Sequence, residues 1–191
     1  IGIPYSYVSP SAYLKTNVEG TYNVLEAAKN LNIKNVLVTS TSEVYGTAYK
    51  HQLSENDLVH AQSPYAASKI AADQLAMSYY LSFNLPVKII RPFNTFGPRQ
   101  SFRAVIPTVI SQILEKKRIG IGNIDSTRDF TFVKDLCDAF YKIHGSKKCI
   151  GQILNVGSGK EISIKNLINK INLLTSNKVK KNIEKKRLRP K

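Results

Sequence analysis

The residue pair best suited to chemistry in this chain is Tyr65 and Lys69, which stand four positions apart at the start of an alanine-rich stretch. In a helix, this spacing puts a phenol and an ammonium on the same face. A nearby positive charge favours the phenolate, so we expect Lys69 to lower the Tyr65 pKa from its usual value of about 10. A phenol tuned in this way can take a proton from an alcohol or sugar hydroxyl near neutral pH.

A second group of polar residues follows the apolar run at positions 36–38. The run predicts a buried parallel strand, and the active sites of open α/β sheets lie just beyond the carboxyl ends of such strands. A hydroxyl from Thr41 can hold the oxygen on which the phenol acts, and Glu43 adds a second titratable group. The sequence therefore predicts a site that combines Thr41, Glu43, Tyr65 and Lys69.

The elements that must position these residues alternate between strands and helices, which predicts an α/β fold with a parallel sheet. The helix that carries Tyr65 and Lys69 is expected at 64–83, with Ser63 as its N-cap and Pro64 in its first turn. A polar loop is expected at 40–62 and a Pro/Gly-rich turn at 92–99. The other expected helices are 10–31, 104–117, 133–144 and 163–174, and the expected strands are 35–39, 86–91, 119–122, 128–132, 152–156 and 178–186.

Several motifs extend the pattern along the chain: YLKTNVEGT at 13–21, TSTSEVYG at 39–46, SPYAASK at 63–69, RPFNTFGPR at 91–99, RDFTFVKD at 128–135 and LNVGSG at 154–159. In this order they resemble the extended short-chain dehydrogenase/reductases that act on nucleotide sugars. That family includes epimerases, 4,6-dehydratases and decarboxylases. The resemblance implies a partial Rossmann-like sheet with a smaller substrate-binding α/β region.

The resemblance also implies a division of the chain and a truncation. Residues 1–98 are expected to be the C-terminal part of the dinucleotide-binding domain, and residues 99–191 an incomplete substrate-binding region. The glycine-rich turn that holds the cofactor pyrophosphate in such folds is not found, since the GSGK run at 157–160 lacks the spacing of a phosphate loop. We therefore expect that the first βα units are missing, that the C-terminus is truncated, and that the isolated chain is inactive and binds NAD(P) poorly.

The resemblance assigns roles to individual residues. Tyr65 would be the base, Lys69 would bind the nicotinamide ribose, Thr41 would hydrogen-bond the sugar oxygen, and Glu43 would take the proton at C5. The residues implied in cofactor binding are Thr39, Ser40, Tyr65, Lys69, Pro92 and Asn17. The residues implied in substrate binding are Ser42, Asn94, Arg99, Arg128 and Arg187.

Within the family, Glu43 favours a 4,6-dehydratase over a simple 4-epimerase, because epimerisation at C4 needs no base at C5. A decarboxylase stays open as an alternative, since it shares the same TSEVYG segment. The expected cofactor is NAD or NADP, with NAD favoured, and the expected substrate is a nucleotide sugar. By analogy, a homodimer is expected through the helix that bears Tyr65 and Lys69 and the helix before it.

The charge of the chain supports an alternative of another class. The net charge is +15, and the last 27 residues hold ten Lys/Arg against one acid, Glu184, which gives +9 there. The alternative is a non-catalytic fragment with a basic nucleic-acid-binding surface. Nucleic acid is nevertheless an unfavoured partner, because no recognised motif is present and no aromatic residues interrupt the basic tail.

Composition places the chain among cytoplasmic α/β proteins. Its 42% apolar content is enough for a substantial core, and no apolar run is long enough to span a bilayer. Two cysteines, Cys137 and Cys149, form no disulfide framework and are expected to be reduced thiols. No His/Cys cluster has the spacing of a metal site.

Overall fold

The structure, a computed structural model, describes residues 3–48, 52–115, 119–176 and 181–183. The helices are α1 (Ile3–Ser6), α2 (Pro10–Tyr13), α3 (Gly20–Asn30), α4 (Pro64–Phe83), α5 (Val105–Leu114), α6 (Val133–Gly145) and α7 (Ile164–Leu174). The strands are β1 (Val36–Thr39), β2 (Val87–Pro92), β3 (Asn94–Phe96), β4 (Ile119–Ile121), β5 (Thr127–Phe132), β6 (Ile153–Val156), β7 (Glu161–Ser163) and β8 (Lys181–Ile183). The predicted α/β class is confirmed.

The chain divides into two compact units. The first comprises Ile3–Thr95 and Thr131–Gly157, and the second comprises Phe96–Phe130 and Ser158–Lys191. The division expected from the sequence, at residues 98 and 99, stays a prediction. Residues 131–157 return to the first unit, because β6 pairs with β2 in its sheet.

The sheet of the first unit is parallel, with strand order β1-β2-β6. Its residues are mostly apolar because helices cover parallel sheets. Val36, Val87 and Ile89 pack with Leu25 of α3 and Tyr79 of α4 in one buried cluster. The carboxyl ends of β1 and β2 lie side by side, since Thr39 is in register with Ile90. The predicted site residues Thr41 and Glu43 follow β1 at this edge of the sheet.

The helix expected over 10–31 has a different structure from the prediction. The stretch Leu14–Glu19 is a π-helix between α2 and α3. π-Helical turns often mark functional sites, because the wider turn changes where a side chain points. Here the π-helix contains Asn17, whose side chain is buried.

The predicted turn over 92–99 is partly wrong. Pro92 ends β2, and Asn94–Phe96 forms β3, in a sheet with strand order β3-β5-β7. β5 and β7 pair in antiparallel fashion, whereas β4 and β8 form a separate parallel pair. The core of the second unit is built by α5, α7 and β4, with Ile113, Ile119 and Ile168 fully buried. No helix in the described part of the chain has the length and apolar character needed to cross a membrane.

A buried lysine closes the end of α6. Lys88 of β2 is 2% exposed, and its Nζ donates hydrogen bonds to the Ile143 carbonyl at 2.9 Å and the His144 carbonyl at 2.7 Å. Carbonyls at a helix C-terminus lack helical partners and carry partial negative charge, which an ammonium offsets. The residue is therefore a structural cap.

We expect Lys88→Met to lower the free energy of unfolding by about 1–2 kcal/mol, because a charge-assisted donor to the helix end is lost. Lys142→Met is the matched control, since Lys142 is an exposed lysine in the last turn of the same helix. Its effect should stay within about 0.5 kcal/mol. Chemical denaturation of both variants measures the difference, and equal stabilities would contradict the capping role.

Candidate active site

Helix α4 presents Tyr65 and Lys69 one turn apart on one face. It begins as the sequence predicts: the Ser63 hydroxyl accepts a hydrogen bond from the Ala66 amide at 3.1 Å, and Pro64 occupies the first turn. The helix ends at Asn84, whose positive φ of 55° suits an asparagine cap. These two caps fix where the helix starts and stops, and thus where Tyr65 and Lys69 lie relative to β1.

The segment after β1 brings Thr41 and Glu43 to the same place. Residues Ser42–Tyr45 form a 3₁₀ helix, and the Thr41 hydroxyl caps it by accepting a hydrogen bond from the Glu43 amide at 3.2 Å. The turn closes at Gly46, with φ of 68°, where a Cβ would lie 2.5 Å from the His60 carbonyl oxygen. Only glycine fits there without displacing backbone.

The Tyr65 phenol meets this segment directly. It shares a hydrogen bond with the Thr41 side chain and lies within electrostatic range of Glu43. Burial raises the pKa of Tyr65 above its ordinary value, and the Glu43, Tyr13 and Asp73 charges add to this effect. The Thr41 hydrogen bond acts in the opposite direction and lowers the pKa. The structure thus brings together three of the four predicted catalytic residues, with Thr41 in hydrogen-bond contact with the Tyr65 phenol and Glu43 within electrostatic range of it.

Lys69 is placed differently from the expectation. Its ammonium donates a hydrogen bond to the Thr39 carbonyl, and burial lowers the Lys69 pKa while the Asp73 charge raises it. Lys69 is not among the groups that shift Tyr65. The prediction of a lowered Tyr65 pKa is therefore wrong, because burial dominates and the Lys69 ammonium is directed to the Thr39 carbonyl at the end of β1.

Asn17 reaches the Tyr65 helix through a side chain. Its Nδ2 donates to the Ser68 hydroxyl at 2.9 Å, and that hydroxyl donates to the Tyr65 carbonyl at 2.8 Å. The family resemblance implies a role for Asn17 in cofactor binding, and that role stays a prediction. Asn17 contacts α4 at Ser68, which lies between Tyr65 and Lys69 in the sequence. The sequence motifs did not indicate a role for Ser68.

Tyr13 is a second neighbour that the motifs did not reveal. This buried residue packs edge-on against Tyr65, with ring centroids 5.9 Å apart and planes at 74°. Edge-to-face contacts of this kind are favourable for aromatic rings. Tyr13, the residue where α2 passes into the π-helix, therefore restricts the Tyr65 ring.

A buried charge pair also lies in this part of the first unit. Asp73 of α4 and Arg91 of β2 form a salt bridge at 3.0 Å, with side chains 0% and 2% exposed. Ser40, an expected cofactor-binding residue, is buried and donates to Asp73 at 2.8 Å. A signal was available in the sequence, because Asp73 follows Tyr65 and Lys69 at the next i+4 step on the same helix face.

The remaining expected residues are distributed over both units. Ser42 and Pro92 are half-buried, and Asn94 is half-buried at the start of β3. Arg99 and Arg128 belong to the second unit, Arg99 being exposed with a positive φ of 64°. The Arg128 Nη1 donates to the Thr127 carbonyl at 2.6 Å. Arg187 lies outside the described residues.

The glycine turn at 157–159 binds a carboxylate of the protein itself. Asp129 accepts hydrogen bonds from the Ser158 amide at 3.0 Å, the Ser158 hydroxyl at 2.6 Å and the Gly159 amide at 2.8 Å. This arrangement agrees with the sequence-based conclusion that the turn is not a phosphate loop. Its amides are already occupied by an internal anion.

Comparison with known protein families matches the GDP-mannose 4,6 dehydratase family over residues 1–191, the whole chain. The chain belongs to this family. The resemblance to nucleotide-sugar dehydratases and epimerases inferred from the motifs is thereby confirmed.

Three relatives of this GDP-mannose 4,6-dehydratase family member were compared. A dTDP-D-glucose 4,6-dehydratase of Dictyostelium discoideum is 34% identical over 178 residues, which cover 87% of this chain and 41% of that protein. The dTDP-glucose 4,6-dehydratase DesIV of Streptomyces venezuelae, solved with NAD and TYD bound, superposes with a TM-score of 0.90 at 27% identity, covering 97% of this chain and 59% of that one. The UDP-glucuronic acid 4-epimerase of Bacillus cereus, solved with UDP-glucuronic acid and NAD, gives 0.87 at 31% identity, covering 91% and 55%. The chain thus spans about half the length of the relatives it matches.

Proposed function

We propose that the protein carrying this chain is a nicotinamide-dependent nucleotide-sugar 4,6-dehydratase. The observation that carries the proposal is the meeting of Thr41 and Glu43 with the Tyr65 phenol, at the carboxyl end of a parallel strand. A hydroxyl, a carboxylate and a phenol around one point provide the groups needed for alcohol oxidation and for removal of a carbon-bound proton. The dehydratase named among the relatives supports the same reaction class.

The proposed reaction uses these three groups in sequence. Tyr65 takes the proton of the C4 hydroxyl while Thr41 holds the same oxygen. Loss of that proton and of a hydride from C4 leaves a 4-keto group, which acidifies the C5 proton. Glu43 removes the C5 proton and passes it to the departing C6 hydroxyl, which leaves as water. Ser42 adjoins Glu43 and offers a hydroxyl to the substrate.

The residues present fit a nicotinamide cofactor. Lys69 places a half-buried ammonium at the end of β1, beside the exposed Thr39 side chain, and a ribose diol can accept hydrogen bonds from such donors. We propose that Lys69, Thr39, Ser40, Tyr65 and Pro92 line this site and that Asn17 supports it through Ser68. When bound, NAD or NADP would supply the hydride acceptor for oxidation at C4 and the hydride donor for reduction at C6.

We propose that Asn94, Arg99, Arg128 and Arg187 contribute to binding of the nucleotide diphosphate, since guanidinium groups bind such oxygens in pairs. Glu43 favours dehydration over a simple 4-epimerisation, which needs no base at C5. The solved 4-epimerase neighbour supports epimerisation as the second candidate, and decarboxylation is the third.

An assay of the full-length protein with UDP-, GDP- and dTDP-linked hexoses and with UDP-glucuronic acid separates these reactions. A 4-keto-6-deoxy sugar is the expected product. Carbon dioxide release from the uronic acid would favour decarboxylation, and inversion at C4 alone would favour an epimerase. Absence of all three products with both cofactors would overturn the proposal. Binding of duplex DNA with a steep salt dependence would instead support the nucleic-acid alternative.

The rate of the oxidation step should rise with pH through the neutral and alkaline range. Proton transfer needs the phenolate form of Tyr65, and the pKa of this residue is raised. Thr41→Val removes the hydrogen bond that lowers this pKa, so the rise should move to higher pH. The pH dependence of kcat/KM reports groups of the free enzyme and measures this shift. Thr47→Val is the control, since the Thr47 hydroxyl pairs with Gln62. An unmoved profile in Thr41→Val would contradict the role of the hydrogen bond.

We further propose a cytoplasmic homodimer that associates through α3 and α4. These helices expose apolar side chains, Val24 at 60% and Leu81 at 73%, which a partner subunit can cover. Both cysteines are free, as expected for a reducing compartment. Sedimentation of the full-length protein tests the association, and a monomer at micromolar concentration would exclude it.

A further inference from the structure

The pair formed by Asp73 and Arg91 is unusual, because both charged side chains are buried in the first unit. Asp73 is 0% exposed and Arg91 is 2% exposed, yet they are joined by a single hydrogen bond, from Arg91 Nε to Asp73 Oδ2 at 3.0 Å. Removing charges from water costs energy that such a pair recovers only in part, so burial alone is weak support for a stabilising role. The other partners of the pair suggest what it does.

Those partners lie at the two ends of the 40–45 segment. At one end, the Ser40 hydroxyl donates to Asp73 Oδ2 at 2.8 Å. At the other end, Arg91 Nη1 donates to the Tyr45 hydroxyl at 2.9 Å, and the guanidinium carbon lies 5.0 Å from the Tyr45 ring centroid. The Tyr45 hydroxyl in turn donates to Asn155 Oδ1 of β6 at 2.8 Å. Thr41 and Glu43 therefore lie between two residues, Ser40 and Tyr45, whose side chains are held by these hydrogen bonds.

The same carboxylate belongs to the helix that carries the phenol. Asp73 is one turn beyond Lys69 and two turns beyond Tyr65 in α4. Its charge acts on both residues, raising the pKa of each. A single buried group thus connects the helix of Tyr65 with the strand ends and with the segment that bears Glu43.

We propose that Asp73 is a positioning residue: through Ser40 and the Arg91–Tyr45 pair, it holds the 40–45 segment in place so that Thr41 and Glu43 face Tyr65. This inference rests on the proposed function, which assigns the catalytic roles to Thr41, Glu43 and Tyr65. Asp73 and Arg91 contact the residues that flank the reacting groups. Small displacements of such groups reduce rates strongly, which is why a rigid anchor matters.

The first test separates the two chemical steps in the full-length protein. Tyr45→Phe keeps every charge but removes the hydroxyl that joins Arg91 to Asn155. The elimination step should fall by about tenfold or more, while oxidation at C4 and substrate KM change by about twofold or less, because the Glu43 end of the segment is released. Tyr79→Phe is the matched control, since it removes a tyrosine hydroxyl that donates to Glu26. Equal losses in both steps for Tyr45→Phe, or equal effects in the control, would overturn the proposal.

The second test uses the charge of Asp73. The groups that act on Tyr65 are Thr41, Glu43, Tyr13 and Asp73, and those that act on Asp73 are Ser40, Arg91 and Lys69. Asp73→Asn keeps an oxygen that can accept the Ser40 hydroxyl and removes a negative charge that raises the Tyr65 pKa, so the pH profile of oxidation should move to lower pH. Tyr45→Phe should leave that profile in place. A purely structural role for Asp73 would lower activity without moving the profile, and would overturn the proposal.

A substrate-free measurement distinguishes failure of this inference from failure of the proposed function. Isotope-edited NMR of labelled tyrosine, with Tyr65 assigned by its loss in Tyr65→Phe, follows the phenol titration directly. If the wild type turns over no nucleotide sugar, the proposed function fails, whereas a lower Tyr65 pKa in Asp73→Asn still supports the coupling and an unchanged pKa overturns it. If Asp73→Asn does not fold because Arg91 loses its counter-charge, Ser40→Ala replaces it. That variant releases the Thr41 end of the segment, so it should slow oxidation and move its pH profile to higher pH, as Thr41→Val does. Unchanged oxidation would overturn the proposal.

Discussion

Tyr65→Phe in the full-length protein should lower kcat by about 10²–10⁴-fold, the usual contribution of a positioned proton-transfer group. The substitution removes only the phenol oxygen that meets Thr41, and it keeps the ring that packs edge-on against Tyr13. The Kd of the nucleotide sugar should therefore change little. Single-turnover reduction of the nicotinamide, followed by its absorbance, measures the oxidation step, and substrate titration by calorimetry measures the affinity.

Tyr79→Phe provides the control for this experiment on the same helix. Tyr79 is also buried, and its hydroxyl donates a hydrogen bond to Glu26. This hydrogen bond and burial together raise the pKa of Tyr79 to about 12. Loss of that hydroxyl should leave kcat within about twofold, in line with a substitution that touches no reacting group. A Tyr65→Phe protein that retains wild-type kcat would remove the central residue of the proposed mechanism.

Glu43→Gln should separate oxidation from elimination. The amide cannot take the C5 proton, so formation of the 4-keto-6-deoxy product should fall by about 10²–10⁴-fold. Oxidation at C4 should persist in part, because Tyr65 and Thr41 are unchanged. Its pH profile should move to lower pH, since the Glu43 charge raises the Tyr65 pKa. Reduced cofactor and the 4-keto hexose should therefore accumulate, as absorbance and mass spectrometry can show.

Glu26→Gln is the matched control, because Glu26 accepts hydrogen bonds from Lys29 and Tyr79 on helices α3 and α4. It should leave both steps at wild-type rates. An equal loss of oxidation and elimination in Glu43→Gln would refute a separate role for the carboxylate. It would point to a group that only shapes the 40–45 segment.

Local rules were sufficient for much of the framework. Ser63 and Pro64 predict the start of α4, because capping and proline geometry depend on neighbouring residues alone. The apolar run that became β1 likewise predicts a parallel strand from composition, although only Val36 of this strand is buried. The π-helix at Leu14–Glu19 and the strand Asn94–Phe96 escaped prediction, since helical periodicity and turn composition do not report how distant elements pair.

For the site, the sequence by itself determined which groups are available: a phenol and an ammonium at helical spacing, and a hydroxyl and a carboxylate after a strand. Only the tertiary structure decided their electrostatics. The Lys69 ammonium binds the Thr39 carbonyl, and burial raises the Tyr65 pKa. Asp73, Arg91 and Tyr45 entered the account only when α4, β2 and the 40–45 segment were packed together. Spacing along a chain fixes which side chains share a helix face, whereas burial and pairing depend on residues that the fold brings in from elsewhere.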